Sequence, residues 1–291
     1  MLSTKKYYSL VLFCSSFLLL AVGPCQDEGT RYSFNEVSSS AFTATDEADY
    51  DALLQRYMDA NNYVRYAQWR GDGSDRARLS SILDSISKAD DSAMKPDERK
   101  AFYINAYNAM TIDLILSRYD ETLGGGGSSY PSQRSIRNIA GLDSRVWDHF
   151  KWKVAGKNRS LNDIEHRILR PLGDARIHFA IVCASKGCPP LHGHAFSQSS
   201  VNTVLDELAD AFVNSGRSTA FDIEKKTIDT SQILNWFESD FRHSFGSLHG
   251  MFAHYVRVIP TGDVSQYQIG FKDYDWTLNE SVPGSGTERD F

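Results

Sequence analysis

The sequence lacks the excess of positive charge that marks nucleic-acid-binding proteins. Its 291 residues include 31 Lys and Arg against 37 Asp and Glu, which gives a formal net charge of -6. Clustered basic residues are the electrostatic footprint of a nucleic-acid binder, so no nucleic-acid partner is predicted. The same balance gives no argument for adsorption to an anionic membrane surface.

Long apolar runs are also scarce, because only the N-terminus carries one. Lys5 and Lys6 precede an apolar run from Leu10 to Val22, and Gly23 offers a small residue at a cleavage site. We therefore predict a signal peptide over residues 1–23. The run is shorter than the roughly 20 apolar residues that a membrane-spanning helix needs, so an uncleaved anchor is the less favoured alternative. No transmembrane helix is predicted in the mature chain.

Cysteine is sparse, with four residues in the whole sequence. Cys14 would leave with the signal peptide, which leaves Cys25, Cys183 and Cys188 in a secreted or periplasmic protein. Disulfides persist in such an oxidising compartment. A lipid anchor at Cys25 is an alternative, which would make the protein a membrane-anchored lipoprotein, although Pro24 stands where a small residue is expected. The sequence leaves open whether Cys183 and Cys188 are free or paired.

Repeats and linkers between separate cores are absent as well. Residues 24–45 are rich in Ser, Thr and charge and are interpreted as a tether or loose arm, and residues 281–291 as a tail. Residues 46–280 are expected to form one globular domain, and 41% hydrophobic residues suffice for its core. Helical and strand-like segments both occur, so the predicted class is α+β.

Five segments carry the clearest structural signals. A helix should begin near Pro96 and run to about Tyr119, buried nearly all round. Ser160 should cap a further helix, with Asp163 completing an approximate capping box. The run Ile177 to Cys183 is apolar on both faces and predicts a central strand surrounded by packed helices. Phe221 to Ile228 predicts a strand pair or an extended segment, and Ser231 to Phe241 predicts a helix.

Two asparagines are candidates for a binding role. Asn105 and Asn108 lie three residues apart and should share one face of the helix that begins near Pro96. A buried amide needs partners, since an unsatisfied polar group costs roughly 1–3 kcal/mol. They could hold neighbouring loops through backbone groups, or they could line an active site. The sequence does not choose between the two.

The segment from Arg176 to Leu191 carries the candidate chemistry. Cys183 could act as a nucleophile if a base lies nearby, His178 is the obvious base, and Glu165 could orient that histidine. Ser185 would line the same site. A straight strand would, however, separate His178 from Cys183 by roughly 16 Å. Packing of His178 among apolar side chains, without a catalytic role, is therefore the alternative.

A metal site is the weakest interpretation. Cys188, His192 and His194 are ligand types that suit zinc, but their spacing matches no strong finger pattern and a fourth ligand is not evident. No metal and no cofactor are therefore predicted. A disulfide between Cys183 and Cys188 is at least as well supported and would remove the thiol nucleophile.

Several segments resemble the domain of unknown function 547 family over roughly residues 46–280. They are KAFYINAYNAMT (100–111), SLNDIEHRILR (160–170), RIHFAIVCASKGCPPL (176–191), ILNWFESDF (233–241) and YDWTLN (274–279). The resemblance implies an exported protein and a relationship to papain-like cysteine hydrolases. Glu165, His178 and Cys183 lie inside the matching segments and carry over as candidate site residues.

The leading hypothesis is a papain-like, cysteine-dependent hydrolase or acyl-transferase that acts on a peptide or amide outside the cytoplasm. Its rival is a non-catalytic binding or scaffold module of the cell envelope, with an envelope protein as partner. The rival explains the aromatic content, which includes five tryptophans, as core and ligand platform. The sequence leaves the substrate or partner unknown.

Overall fold

The longest helix, α4 (Pro96–Ser117), is the central element of the computed structural model, which describes residues 43–125 and 128–281. Pro96 stands at the first position, and acidic residues occupy the first turn, where they complement the helix dipole. Nearly every residue from Lys100 to Leu116 is buried. The helix packs against elements on several sides, which confirms the predicted buried helix.

Nine further α-helices lie in the described residues. They are α1 (Ala44–Tyr57), α2 (Tyr66–Gly71), α3 (Gly73–Lys88), α5 (Val146–His149), α6 (Leu161–Ile164), α7 (Val201–Asn214), α8 (Gln232–Trp236), α9 (Glu238–Phe245) and α10 (Leu248–Tyr255). Short 3-10 turns connect several of them. None of the helices in these ranges combines the length and the apolar character needed to cross a membrane.

Two small sheets complete the α+β fold. Strands β1 (Trp152–Val154) and β2 (Lys157–Arg159) form an antiparallel hairpin. In the second sheet, β4 (Thr227–Thr230) pairs antiparallel with β3 (Ala220–Asp222) and parallel with β5 (Gln268–Phe271). The predicted strand pair between Phe221 and Ile228 is confirmed, since these two residues are direct partners. The predicted class, a single α+β domain, is confirmed.

The domain has two hydrophobic clusters. The larger one surrounds α4 and includes the buried faces of α1, α3 and α6. The smaller one lies between α7, α9, α10 and the three-stranded sheet. The segment 175–182 contributes side chains to both clusters, with Phe179 in the smaller and Ile177 in the larger. This segment therefore runs between the two clusters, and it leads directly to the two cysteines.

The predicted central strand from Ile177 to Cys183 is wrong. Ala175–Phe179 forms a 3-10 helix whose first turn is capped by the side chain of Asp174, and residues 180–183 belong to no strand. An apolar run with two buried faces is expected of a central strand, but it is equally suited to a chain passing between two cores. The periodicity of the sequence cannot separate these two cases.

One other segment differs from expectation in detail. The helix predicted over Ser231 to Phe241 is divided at Phe237, whose backbone is not helical, into α8 and α9. Helix α1 is capped by Thr43 through a capping box with Asp46. The predicted signal peptide, Cys25 and nearly all of the predicted arm and tail lie outside the described residues. The structure therefore does not bear on residues 1–42 and 282–291.

Candidate active site

Helix α4 fixes the chain that leads to the cysteines through the side-chain amide of Asn108. Its Nδ2 donates to the carbonyl of Ala180 at 2.9 Å, and its Oδ1 accepts from the N–H of Val182, also at 2.9 Å. This pair of bonds satisfies backbone groups that a neighbouring strand would otherwise satisfy. The segment is thus held against α4 without belonging to a sheet.

Asn105 forms the same arrangement one turn earlier. Its amide donates to the carbonyl of Phe196 at 2.8 Å and accepts from the N–H of Phe196 at 2.9 Å. Asn105 and Asn108 are both almost fully buried. Each therefore binds the backbone of a neighbouring loop, which is the first of the two roles that the sequence left open.

Two thiols and two hydroxyls form a tight cluster where this segment ends. The Sγ atoms of Cys183 and Cys188 are 2.7 Å apart, and both cysteines are free. Ser185 Oγ lies 3.2 Å from the sulfur of Cys183 and 3.5 Å from that of Cys188. The hydroxyl of Tyr274 lies 3.3 Å and 3.1 Å from the same two sulfurs. Either sulfur is therefore surrounded by groups that can donate to a thiolate.

The cluster favours one negative charge and opposes a second. Burial opposes ionisation of Cys188, but hydrogen bonds from Cys183, Ser185 and Tyr274 prevail and lower its pKa to about 6. The backbone N–H of Cys183 also donates to this sulfur, at 3.1 Å. The hydrogen bond with Cys188, together with burial, raises the pKa of Cys183. The two thiols titrate as a pair that loses its first proton readily.

The loop of the cysteines is joined to the segment 274–279 by backbone hydrogen bonds. The N–H of Lys186 donates to Thr277 at 2.7 Å, and that of Gly187 to Asp275 at 2.8 Å. A Cβ on Gly187 would lie 3.0 Å from the backbone of Asp275 and from the ring of Tyr274. Glycine permits this close approach, which brings the Tyr274 hydroxyl onto the thiols.

His178 is held by an acidic residue that sequence reasoning missed. Its Nε2 lies 2.9 Å from Oδ2 of Asp240, whose carboxylate also receives two bonds from Arg170, at 2.7 and 2.8 Å. Hydrogen bonds from Arg170 and His178 hold the pKa of Asp240 well below its ordinary value. An ionised carboxylate only accepts hydrogen bonds, so Nε2 carries the proton and Nδ1 presents a lone pair.

The second ring nitrogen of His178 faces Glu165. Its Nδ1 lies 4.0 Å from Oε1 of Glu165, and the hydroxyl of Tyr107 lies 3.4 Å from Oε2 of the same carboxyl group. Burial raises the pKa of Glu165 to about 7, against the opposing effect of Arg170. Burial also lowers the pKa of His178. Glu165 therefore keeps its proton to a higher pH than an ordinary carboxyl group does, and His178 is neutral over a wider pH range than an ordinary imidazole.

A π-helical turn places Glu165 in this position. The α-helical turn of α6, which begins at Ser160 with the expected capping box, continues as a π-helix over Glu165–Leu169. Such turns often occur at functional sites. They rotate the following side chains relative to a regular helix, so the face on which Glu165 and His166 lie could not be derived from 3.6-residue periodicity.

A cavity of about 190 Å³ joins these groups. Glu165, His178, Cys183 and Cys188 all border it, so the three residues predicted as catalytic share one site. His166 is also part of its lining. The rest of the wall is largely aromatic and is made by Tyr107, Trp147, Trp236, Phe237, Tyr274 and Trp276.

The straight strand that the distance objection assumed is not formed. The expected separation of roughly 16 Å assumed a straight strand from His178 to Cys183, and the chain between them is not a strand. Within the described part of the chain, no hydrogen bond joins His178 to either thiol. Asp240 makes the hydrogen bond to His178 that was expected of Glu165, and Glu165 occupies the opposite side of the ring.

Ser185 and the metal alternative can also be placed. Ser185 is buried and contacts the thiols directly, so it belongs to the thiol cluster. His192 and His194 lie with their ring centroids 5.8 Å apart, and His194 faces Asp51. Among the described residues, no three His, Cys, Asp or Glu side chains are grouped to hold a metal ion.

The signals that could have revealed the missed residues lie in two short motifs. Asp240 belongs to the segment ILNWFESDF, and Tyr274 and Trp276 belong to YDWTLN. Both segments were recognised as family motifs without a role for their polar or aromatic members. Their contribution depends on contacts across 62 to 91 residues of chain, which spacing alone does not show.

A family model described as protein of unknown function, DUF547, matches residues 92–213. The match confirms the resemblance to this family over these residues. It spans Asn108, Glu165, His178 and both cysteines of the site, whereas Asp240 and Tyr274 lie beyond it. Comparison with curated proteins and with solved structures found no match.

Proposed function

We propose that this DUF547-family protein is a cysteine-dependent hydrolase or acyl-transferase that acts on a peptide or amide substrate. The observation that carries the proposal is the shared cavity, in which a thiol cluster meets His178 and Glu165. A nucleophile, a proton-transferring pair and a carboxylate that orients the imidazole are the parts that such chemistry requires. The relationship to papain-like hydrolases is part of this proposal.

In the proposed mechanism the pair of thiols loses its first proton without help from His178. Hydrogen bonds from Ser185, Tyr274 and the neighbouring thiol stabilise the thiolate. After the pair has lost its first proton, the negative charge rests mainly on Cys188, whose pKa is the lowered one. Cys183 is the more exposed of the two residues, so it attacks the carbonyl carbon as its own proton passes to Cys188. These roles of the two thiols agree with the absence of a hydrogen bond between His178 and the thiols among the described residues.

His178 and Glu165 then serve the leaving group. As the bond from carbon to nitrogen breaks, the leaving amine takes the proton that Glu165 carries, by way of Nδ1 of His178. In the second half of the reaction, they remove a proton from water, or from an acceptor amine or alcohol, as it attacks the thioester. Asp240 keeps the Nε2 proton in place, so that Nδ1 is the nitrogen that exchanges protons.

We place this activity outside the cytoplasm on the strength of the predicted signal peptide over residues 1–23. The thiol cluster must then stay reduced in an oxidising compartment. Lipidation of Cys25 would keep the enzyme at a membrane surface, as a lipoprotein. Both points rest on the sequence, because these residues lie outside those described.

The test is the rate at which iodoacetamide alkylates Cys183 and Cys188 between pH 4 and pH 10, followed by mass spectrometry of each site. We expect an inflection near pH 6 rather than near the ordinary thiol pKa of about 8.5. Tyr274→Phe removes one hydroxyl donor and should move the inflection upward. Tyr267→Phe is the matched control, since its hydroxyl makes no hydrogen bond in the described structure.

A different outcome would favour the binding module. An inflection near pH 8.5, or a Cys183–Cys188 disulfide in the purified protein, would contradict an activated nucleophile. The observation that supports this second candidate is that Trp147, Trp236 and Trp276 all border the cavity, as a ligand platform would require. A binding module predicts that ligand affinity survives Cys183→Ala.

A further inference from the structure

The aromatic wall of the cavity begins at the thiols themselves. The Tyr274 hydroxyl lies 3.3 Å from the sulfur of Cys183. The ring of the same tyrosine packs against Trp276 at 4.5 Å and against Trp236 at 4.8 Å between centroids. Tyr274 therefore connects the Cys183 sulfur to the two indole rings, and a side chain directed along this tyrosine from a carbonyl at the sulfur approaches them.

Part of this aromatic wall is exposed to solvent, although large apolar side chains are ordinarily buried. Trp236 retains 47% of its accessible surface, and it is one of few large apolar side chains exposed in the described residues. It stacks on Trp276 with a centroid separation of 5.8 Å and an interplanar angle of 22°, and Trp147 lies 5.7 Å from Trp276. Exposed aromatic clusters at a cavity are typical of ligand-binding surfaces.

The cavity volume limits what can lie against this wall. A dry cavity of about 150 Å³ lined by apolar side chains accommodates benzene, and the present cavity measures about 190 Å³. It therefore has room for a single ring or a branched aliphatic group. A long acyl chain or a disaccharide would extend well beyond it.

The charges around the wall favour an uncharged group. The guanidinium of Arg137 lies over the ring of Trp276 at 4.7 Å, and that of Arg170 over Phe237 at 5.2 Å. These cations already use the π-systems that would attract a cationic ligand. Each is also paired with an aspartate, so neither is available to bind an anion. Glu165, the carboxyl group on the cavity wall, is mostly shielded from solvent, and with a pKa of about 7 it is only about half ionised at neutral pH.

We infer that the cavity selects substrates whose acyl part carries one uncharged, ring-sized or branched apolar side chain next to the scissile carbonyl. Trp236 and Trp276 form the contact surface for this side chain. The inference rests on the proposed function, because it takes Cys183 as the nucleophile. It adds the substrate class, which neither the sequence nor the family match supplies.

Chloromethyl ketones of acetylated amino acids provide the test, since the thiolate forms a bond to their methylene carbon and displaces chloride. The rate of alkylation of Cys183 in the full chain is measured with the phenylalanine, leucine, glycine and lysine compounds. Burial of an apolar side chain of this size should make the phenylalanine and leucine compounds about 10- to 100-fold faster than the glycine compound. The lysine compound should gain no comparable advantage.

Two variants then test whether Trp236 determines this substrate selectivity. Trp236→Ala should bring the ratio of the phenylalanine rate to the glycine rate towards one, while Ile223→Ala, an exposed apolar residue on another surface, should leave that ratio unchanged. Suppose that the phenylalanine and glycine compounds react at equal rates while Cys183 still reacts rapidly with iodoacetamide near pH 6. This result would overturn the inference but would not contradict the proposed function. An ordinary, unactivated thiol in the iodoacetamide experiment would overturn both.

Discussion

Asp240 and His178 are joined by a hydrogen bond of 2.9 Å, although 62 residues separate them in the chain. The same carboxylate receives two bonds from Arg170, so the histidine tautomer is fixed by a group that is itself held in place. Second partners of this kind decide which nitrogen of an imidazole can exchange a proton. Asp240 is therefore assigned as the positioning residue of the site.

Asp240→Asn is expected to lower the second-order rate constant for substrate turnover about 10²- to 10⁴-fold, because an amide can stabilise the unproductive tautomer. Reaction of Cys183 with iodoacetamide should change far less, since the thiol cluster does not contact Asp240. Glu238→Gln, an exposed acid on the same helix α9, is the control. Equal losses in both assays would indicate a general collapse of the site and contradict a positioning role.

Glu165→Gln should stabilise the protein at alkaline pH. The pKa of Glu165 is about 7 in the fold and about 4.5 in the unfolded chain, so the fold holds this proton more tightly. The associated stability is complete below pH 4.5 and is lost as the pH rises through 7. The neutral glutamine avoids that loss, which is worth about 3 kcal/mol at pH 8.

The measurement is the difference in free energy of unfolding between Glu165→Gln and the parent at pH 4 and at pH 8. Comparing the two proteins at each pH cancels the pH dependence of all other groups. Glu207→Gln, an exposed position on α7, should show no such change. A variant that is equally stable relative to the parent at both pH values would disprove the raised pKa.

Asn108→Ala should destabilise the fold by about 2–4 kcal/mol, because it leaves the carbonyl of Ala180 and the N–H of Val182 buried without their partner. Chemical denaturation measures this loss. The exposed Asn235, whose amide bonds only to a neighbouring Gln232 in the described structure, is the matched control and should lose little on substitution by alanine. A change below about 0.5 kcal/mol for Asn108→Ala would mean that the segment does not depend on this amide.

Gly187→Ala should separate the loop of the cysteines from the segment that carries Tyr274. Its Cβ would stand 3.0 Å from the Asp275 backbone, and overpacking of this kind costs about 1–3 kcal/mol. We also expect the pKa that governs iodoacetamide labelling to rise, because the tyrosine hydroxyl would move away. Gly71→Ala meets no heavy atom within 4 Å and should be nearly neutral; equal effects at both positions would refute the close approach.

The parts of the fold that could be predicted are those that local interactions determine. Helix α4 follows from Pro96, the acidic first turn and a continuous apolar sequence, and the turn after Ser160 follows from its capping box. The strand prediction for Ile177 to Cys183 failed because burial between two cores produces the same apolar run as a central strand. In the structure, a side-chain amide on α4 replaces the missing sheet partner.

The sequence predicts the candidate site only in part, because the residue types can be recognised but their partners depend on the fold. Residue chemistry alone points to Cys183, His178 and Glu165, and all three border one cavity. Their partners depend on the fold: a π-helical turn sets the direction of Glu165, and Asp240 approaches from another helix. No rule of spacing along the chain links Tyr274 to a cysteine 91 residues away.

The joining of the cysteine loop to residues 274–279 has a consequence for biosynthesis. A growing chain that has emerged only as far as the family-matched region, which ends at residue 213, contains both thiols but lacks the tyrosine hydroxyl and most of the aromatic wall. Contacts of such long sequence separation form late, since they require the intervening chain to be ordered first. The nascent protein therefore lacks the Tyr274 hydroxyl at its thiols, and it completes the thiol cluster only when the chain has been made and folded as far as residue 274.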